Sequence, residues 1–170
     1  MRSKLELYIL RHGEAVKNVR SGLSASDADR PLTISGKREI EEISYFLKKL
    51  NIKFSLVISS PLKRAHQTAL IISKIFKVVN KLEDWDELKP EAAKQALVDK
   101  LSKLKEDSTI LMVGHEPFLS SFVSEIAFGN PSGNLVLKKG GFVKLRVLSN
   151  FPKMTAELRW LISPRLMRRS

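Results

Sequence analysis

The chain has 170 residues, of which 43% are hydrophobic and 28% charged, the balance of a folded domain rather than a disordered one. It has no cysteine, which excludes a disulfide scaffold, a cysteine-ligated metal centre and a cysteine nucleophile. The net charge is +12, which points to an anionic partner without naming it: nucleic acid, a membrane surface and a phosphorylated substrate all fit.

Leu5–Leu10 (LELYIL) reads as a buried strand, short, mostly apolar and stopped by Arg-His-Gly. The apolar run is too short for a signal peptide, and no stretch nears the ~20 apolar residues that cross a bilayer, so a cytoplasmic location and no membrane partner are expected. Residues 17–33 are rich in Ser, Asp and Gly and read as a loop. Ile40, Ile43, Phe46, Leu47 and Leu50 recur at helical spacing and predict a helix from Ser35 to about Leu50. Phe54–Ser59 reads as a second buried strand. Pro61 opens a further helix with Ala65, Ala69, Ile72 and Phe76 on one face. Pro90 introduces a helical stretch, Glu91–Leu104, before a third buried strand, Thr109–Val113. Pro117–Phe128 is again helical. Beyond it, Asn134–Leu137, Gly141–Leu148 and Thr155–Ile162 read as strands.

Strands alternating with helices predict an α/β three-layer sandwich around a central, mostly parallel sheet with antiparallel edge strands. A single domain is expected over residues 1–164, with 165–170 as a basic C-terminal tail. In such sheets ligands bind beyond the carboxyl ends of the strands. Three predicted strands end in polar clusters: Arg11-His12-Gly13, Ser59-Ser60 and Gly114-His115-Glu116. A histidine at one strand end is more often structural than catalytic, but His12 and His115 share one sheet edge, each beside a glycine. Arg11 and Arg64 are within reach of that edge. Two guanidiniums and two imidazoles suit a tetrahedral dianion. Two histidines without a third clear ligand argue against a zinc site.

These residues resemble the histidine phosphatase superfamily, which includes the cofactor-dependent phosphoglycerate mutases. Leu10-Arg11-His12-Gly13-Glu14 matches its RHG signature. Ser59 to Ala69 (SSPLKRAHQTA) is similar to its second arginine motif, and Val113-Gly114-His115 to its second histidine motif. Within the superfamily the chain most resembles the small SixA-type phosphohistidine phosphatases. The similarity lies in Arg30-Pro31-Leu32-Thr33 followed by Gly36, in Asp86-Glu87-Leu88-Lys89-Pro90 and in Trp160 to Pro164. Asn18, five residues after Gly13, is more mutase-like.

The resemblance implies a phosphoglycerate mutase-like fold and a phosphatase working through a phosphohistidine on His12. It implies that Arg11, Arg64 and His115 hold the transferring phosphoryl group; Asn18 and Ser60 are further candidates for substrate binding, Ser60 by supporting the phosphate pocket from behind. It implies Glu87 as proton donor, although Glu83, Asp84 and Asp86 crowd the same turn. Glu14 and Glu116 are candidates for orienting roles, and His66 reads as a helix-surface residue. No cofactor or metal is expected. The expected partner is a phosphorylated protein, as for SixA, or a small phosphorylated metabolite.

Two other readings stand beside this one. One keeps the chemistry on small phosphomonoesters or phosphoglycerates, with Arg20 and Arg30 available for a second anion. The other is a basic nucleic-acid-binding module. Residues 134–170 hold nine Lys or Arg and one acid, Glu157, which is +8 of the total charge, with Phe142, Phe151 and Trp160 nearby.

Overall fold

A computed structural model describes residues 5–17, 26–150 and 152–168. Six strands form one sheet: β1 (Glu6–Arg11), β2 (Leu56–Ser59), β3 (Leu82–Asp84), β4 (Thr109–Gly114), β5 (Phe142–Ser149) and β6 (Thr155–Ile162). Their order is β3-β2-β4-β1-β5-β6. The first four are parallel; β5 runs antiparallel to β1, and β6 antiparallel to β5. The expected sandwich, parallel at its centre and antiparallel at one edge, is the observed fold.

Among the described residues five α-helices cover the two faces: α1 (Ile34–Lys49), α2 (Lys63–Phe76), α3 (Lys94–Leu101), α4 (Phe118–Phe128) and α5 (Pro164–Arg168). Strand alternation divides the core in two. Leu7, Ile9, Ile58, Ile110, Met112 and Val143 pack with α3 and α4 through Leu97, Leu101, Phe122 and Val123. Tyr8, Leu10, Val57, Leu111, Val113 and Phe142 pack with α1 and α2 through Ile40, Ile43, Leu47, Ala65, Ala69 and Ile72. Strands buried on both faces read as continuous apolar runs, which is why β1, β2 and β4 are legible in the sequence.

The structure departs from the sequence reading at four places. Asn134–Leu137 is not a strand. β1 is already paired on both sides, so this segment finds no ladder and crosses as a loop, anchored by buried Leu137. Conversely β3 carries no sequence pattern: of its three residues only Leu82 is apolar, and the acidic pair sits exposed at the sheet edge. The stretch 165–168 is a helix rather than a tail. Met167 is buried in the α1–α2 layer, and Arg168 pairs with Glu39 (3.2 Å) and Glu42 (2.8 Å) on α1. The third helix is also shorter than its periodicity suggests, with turns at 91–93 and 102–104.

The C-terminal charge is likewise distributed into the fold. Lys144 and Arg146 pair with Glu6, and Arg159 with Glu157. Phe142 is fully buried, and Trp160 packs edge-on against Tyr8 beneath Lys144. Neither aromatic offers a stacking platform for a base, and Phe151 lies outside the described residues. Among the described residues, no helix is long and apolar enough to cross a membrane.

Candidate active site

The carboxyl ends of β1, β2 and β4 converge, as the parallel register requires: Arg11 pairs with Gly114 across β1 and β4, and Ser59 with Val113 across β2 and β4. His12 follows β1, Ser60 follows β2 and His115 follows β4. Arg64 stands on the first turn of α2. A cavity of about 320 Å³ opens there, lined by Arg11, His12, Ala15, Asp27, Arg30, Arg64, Pro90, His115, Glu116 and Lys139.

His12 is buried, and its Nδ1–H donates to the carbonyl of Gly13 at 2.7 Å. A carbonyl only accepts, so the proton is on Nδ1 and the Nε2 lone pair is left exposed to the cavity. Arg64 Nε–H donates to that lone pair at 3.3 Å. Burial first, then the charges of Arg64, Arg11 and Lys139, lower the His12 pKa to about 4, against the opposing pull of the Gly13 carbonyl. His115 is buried 5.1 Å away, ring centre to ring centre, with Nε2 2.8 Å from Ser60 Oγ. Its pKa falls to about 3, by burial and then by His12 and Arg64. Both imidazoles are therefore neutral in the free site at pH 7.

Arg64 is 4% exposed, yet its outer nitrogens are held from the cavity side: Nη1 donates to the Asp27 carbonyl (2.7 Å) and Nη2 to its carboxylate (3.0 Å). Asp27 also pairs with Arg30 at 2.8 Å. Burial alone would raise the Asp27 pKa, but the two arginines outweigh it and hold it below the ordinary carboxylate value. Arg11 donates to the Leu137 carbonyl at 3.0 Å, and burial lowers its pKa.

The scaffold beneath the nucleophile loop is tight. Gly13 N–H donates to Thr68 Oγ1 (3.2 Å), which donates in turn to the Arg64 carbonyl (2.8 Å), so one hydroxyl ties the β1 loop to α2. Thr33 caps α1 by accepting from Gly36 N–H at 2.8 Å and receives support from Glu14. Gly36 must lack a side chain, because a Cβ there would overlap the Glu14 carbonyl oxygen.

The structure thus brings together Arg11, His12, Arg64 and His115. Ser60 touches His115 rather than lining the cavity. Glu87 is not brought to the site: it does not line the cavity, and its carboxylate pairs with Lys100 at 3.0 Å. Burial would raise its pKa, but its own backbone N–H and Lys100 lower it. The acids that do line the cavity are Asp27 and Glu116, the latter half-buried with Oε1 accepting from Ser120 N–H at 2.9 Å. Asn18 lies outside the described residues. His66 sits on the α2 surface, 2.9 Å from Asp84. Sequence reasoning missed Asp27 and Lys139. Asp27 sits in a Ser/Asp-rich stretch with no periodicity, and Lys139 is far from every motif. Among the described residues no three His, Cys, Asp or Glu side chains form a metal-holding cluster.

With this geometry in place, comparison with known proteins gives the family. The model of the histidine phosphatase superfamily (branch 1) matches residues 7–94. The chain belongs to that superfamily and is an enzyme of the phosphatase class. It is 33% identical to an uncharacterized protein of Picosynechococcus sp. over 144 residues, covering 84% of this chain and 85% of that protein. A broad-specificity phosphatase of Saccharomyces cerevisiae is 32% identical over 76 residues, which cover 45% of this chain and 33% of that protein. The solved structure of the protein histidine phosphatase SixA complexed with tungstate superposes with a TM-score of 0.80 at 24% identity. The superposition covers 95% of this chain and 99% of that one.

Proposed function

We propose that this chain is a metal-independent phosphatase that works through a phosphohistidine on His12, acting on protein phosphohistidine. The observation that carries the proposal is the His12 ring: Nδ1–H fixed on the Gly13 carbonyl and Nε2 facing a cavity lined by Arg11, Arg64 and His115. The likeness to SixA supports the substrate class.

The steps follow from these atoms. The phosphoryl group enters and takes over the donors of Arg64 and Arg11, and Arg64 Nε–H swings from His12 Nε2 to a phosphoryl oxygen. The freed lone pair attacks phosphorus in line. An Nε2–P bond forms, and the bond from phosphorus to the leaving group breaks. The ring gains positive charge, which the Nδ1–H···O=C bond to Gly13 stabilises. The departing group takes up a proton; an imidazole leaving from phosphohistidine needs less help than an alkoxide. Glu116 is the described cavity acid without a cationic partner at salt-bridge distance, and we assign it the proton donor's place rather than Glu87. Water then attacks phosphorus, the Nε2–P bond breaks, and the water proton passes to the same acid, releasing inorganic phosphate and neutral His12.

A second reading, hydrolysis of small phosphomonoesters, is favoured by the resemblance to the broad-specificity yeast phosphatase. One panel tests both: wild type and His12→Ala on a phosphohistidine protein and on p-nitrophenyl phosphate, with and without EDTA. Activity that EDTA leaves intact and His12→Ala abolishes is the expected result, with the higher kcat/KM on the protein. Full activity in His12→Ala, or loss with EDTA restored by a divalent ion, overturns the mechanism.

A further inference from the structure

Lys139 enters the site from a part of the chain that no motif touches. The turn Lys138–Gly141 is pinned to the end of β1 by two backbone bonds, Gly140 N–H to the Arg11 carbonyl (3.0 Å) and Arg11 N–H to the Gly141 carbonyl (3.1 Å), and is closed on itself by Gly141 N–H to the Lys138 carbonyl (2.7 Å). Gly140 takes φ +70, the left-handed region that glycine allows, and this lets the chain double back over the nucleophile strand. The turn is thus a rigid mount that presents Lys139 at the cavity wall.

The cavity has a floor and a rim. His12, Arg64 and His115, at 7%, 4% and 2% exposure, make the floor that suits the transferring group. Lys139 is exposed at the rim, with half-buried Arg30. The two cations differ. Arg30 is ion-paired with Asp27 and donates to the Val16 carbonyl (3.3 Å). Among the described residues none pairs with Lys139. In-line displacement sends the leaving group away from His12 Nε2, from the floor toward the rim. An unpaired ammonium at that rim is placed to meet the leaving-group side of the substrate.

We propose that Lys139 is a specificity-determining residue that binds a second anionic group on the leaving-group side of the substrate. The chemistry is a carboxylate close to the phosphorylated atom, either on a small metabolite or on an acidic side chain flanking a phosphorylated residue. The proposal rests on the phosphatase reading of this site.

Two matched pairs test it. 3-Phosphoglycerate and glycerol 3-phosphate differ by a carboxylate against a hydroxymethyl group. Phosphohistidine peptides with Glu or Gln as neighbours differ in the same way. The readout is the ratio of kcat/KM within each pair, for wild type, Lys139→Gln and Lys139→Arg. Lys139→Gln should lower the ratio about 5- to 10-fold in at least one pair, the size of one charge-assisted contact at an open rim, and Lys139→Arg should restore it. A fall in the small pair assigns the contact to a metabolite; a fall in the peptide pair assigns it to a flanking acid. Ratios unchanged in both pairs overturn the proposal, whether or not the rates drop together. Calorimetric Kd values for the same ligands give the ratio without turnover. A wild type that binds with the expected discrimination but hydrolyses neither pair therefore refutes the phosphatase reading and leaves the Lys139 contact standing.

Discussion

Lowering the pH from 7 to 5 should destabilise this fold through His12 and His115 alone by about 4 kcal/mol. Both rings are buried and neutral, with pKa values of about 4 and about 3. In the unfolded chain each titrates near ~6.5. Between these values the unfolded chain takes up protons that the folded chain refuses. Their stabilising effect is therefore whole above ~6.5 and is lost as pH falls toward the folded values. At pH 5 the folded pKa of each ring is already a unit or more below the working pH, and linkage comes to about 2 kcal/mol per histidine. Urea unfolding of wild type, His12→Asn and His115→Asn across this range measures it. Asparagine keeps an amide donor near the Gly13 carbonyl but does not titrate. Carboxylates titrate alike in all three proteins, so the difference isolates the imidazole. Each variant should lose about 2 kcal/mol less than wild type between pH 7 and 5. Equal losses in all three would refute the claim that the site holds both rings neutral.

Other expectations follow from the same contacts. Arg64→Lys replaces a planar fork of five N–H donors by one point-like ammonium, and kcat/KM should fall about 100-fold, measured on p-nitrophenyl phosphate. Glu116→Gln should slow an alkyl phosphate by about 10-fold or more, and far more than Glu87→Gln does, because only Glu116 lines the cavity. The reverse order would return the proton donor's role to Glu87. Gly36→Ala forces a methyl into the Glu14 carbonyl and should cost about 1–3 kcal/mol, seen as a fall in Tm; an unchanged Tm would mean that α1 yields freely.

Much of the architecture was legible because its central strands are buried on both faces. Leu7–Leu10, Val57–Ile58 and Ile110–Val113 are unbroken apolar runs, and each stops at a polar cluster that the sheet then gathers at one edge. Arg11, His12 and His115 were legible for the same reason, since parallel strands place their carboxyl ends side by side, and Arg64 was legible from the motif that follows β2 and opens α2. β3 was not, because an edge strand of three residues needs no apolar pattern. Glu87 misled because a position in a motif does not say which way a carboxylate turns, and Lys100 offers it a partner away from the cavity.

The central strands, the order of the motifs and the four side chains those motifs carry can thus be read from local pattern along the chain. The tautomer of His12 depends on where the folded backbone turns the Gly13 carbonyl, which no local pattern states. Only the tertiary structure brought in Asp27 and Lys139, which come from a patternless loop and from a turn some 127 residues after His12. The net charge of +12 shows the same division. Composition sets its size, but folding pairs Lys144, Arg146, Arg159 and Arg168 with carboxylates and leaves Lys139 exposed at the cavity wall, because the effect of a charge depends on what stands within a few ångströms of it.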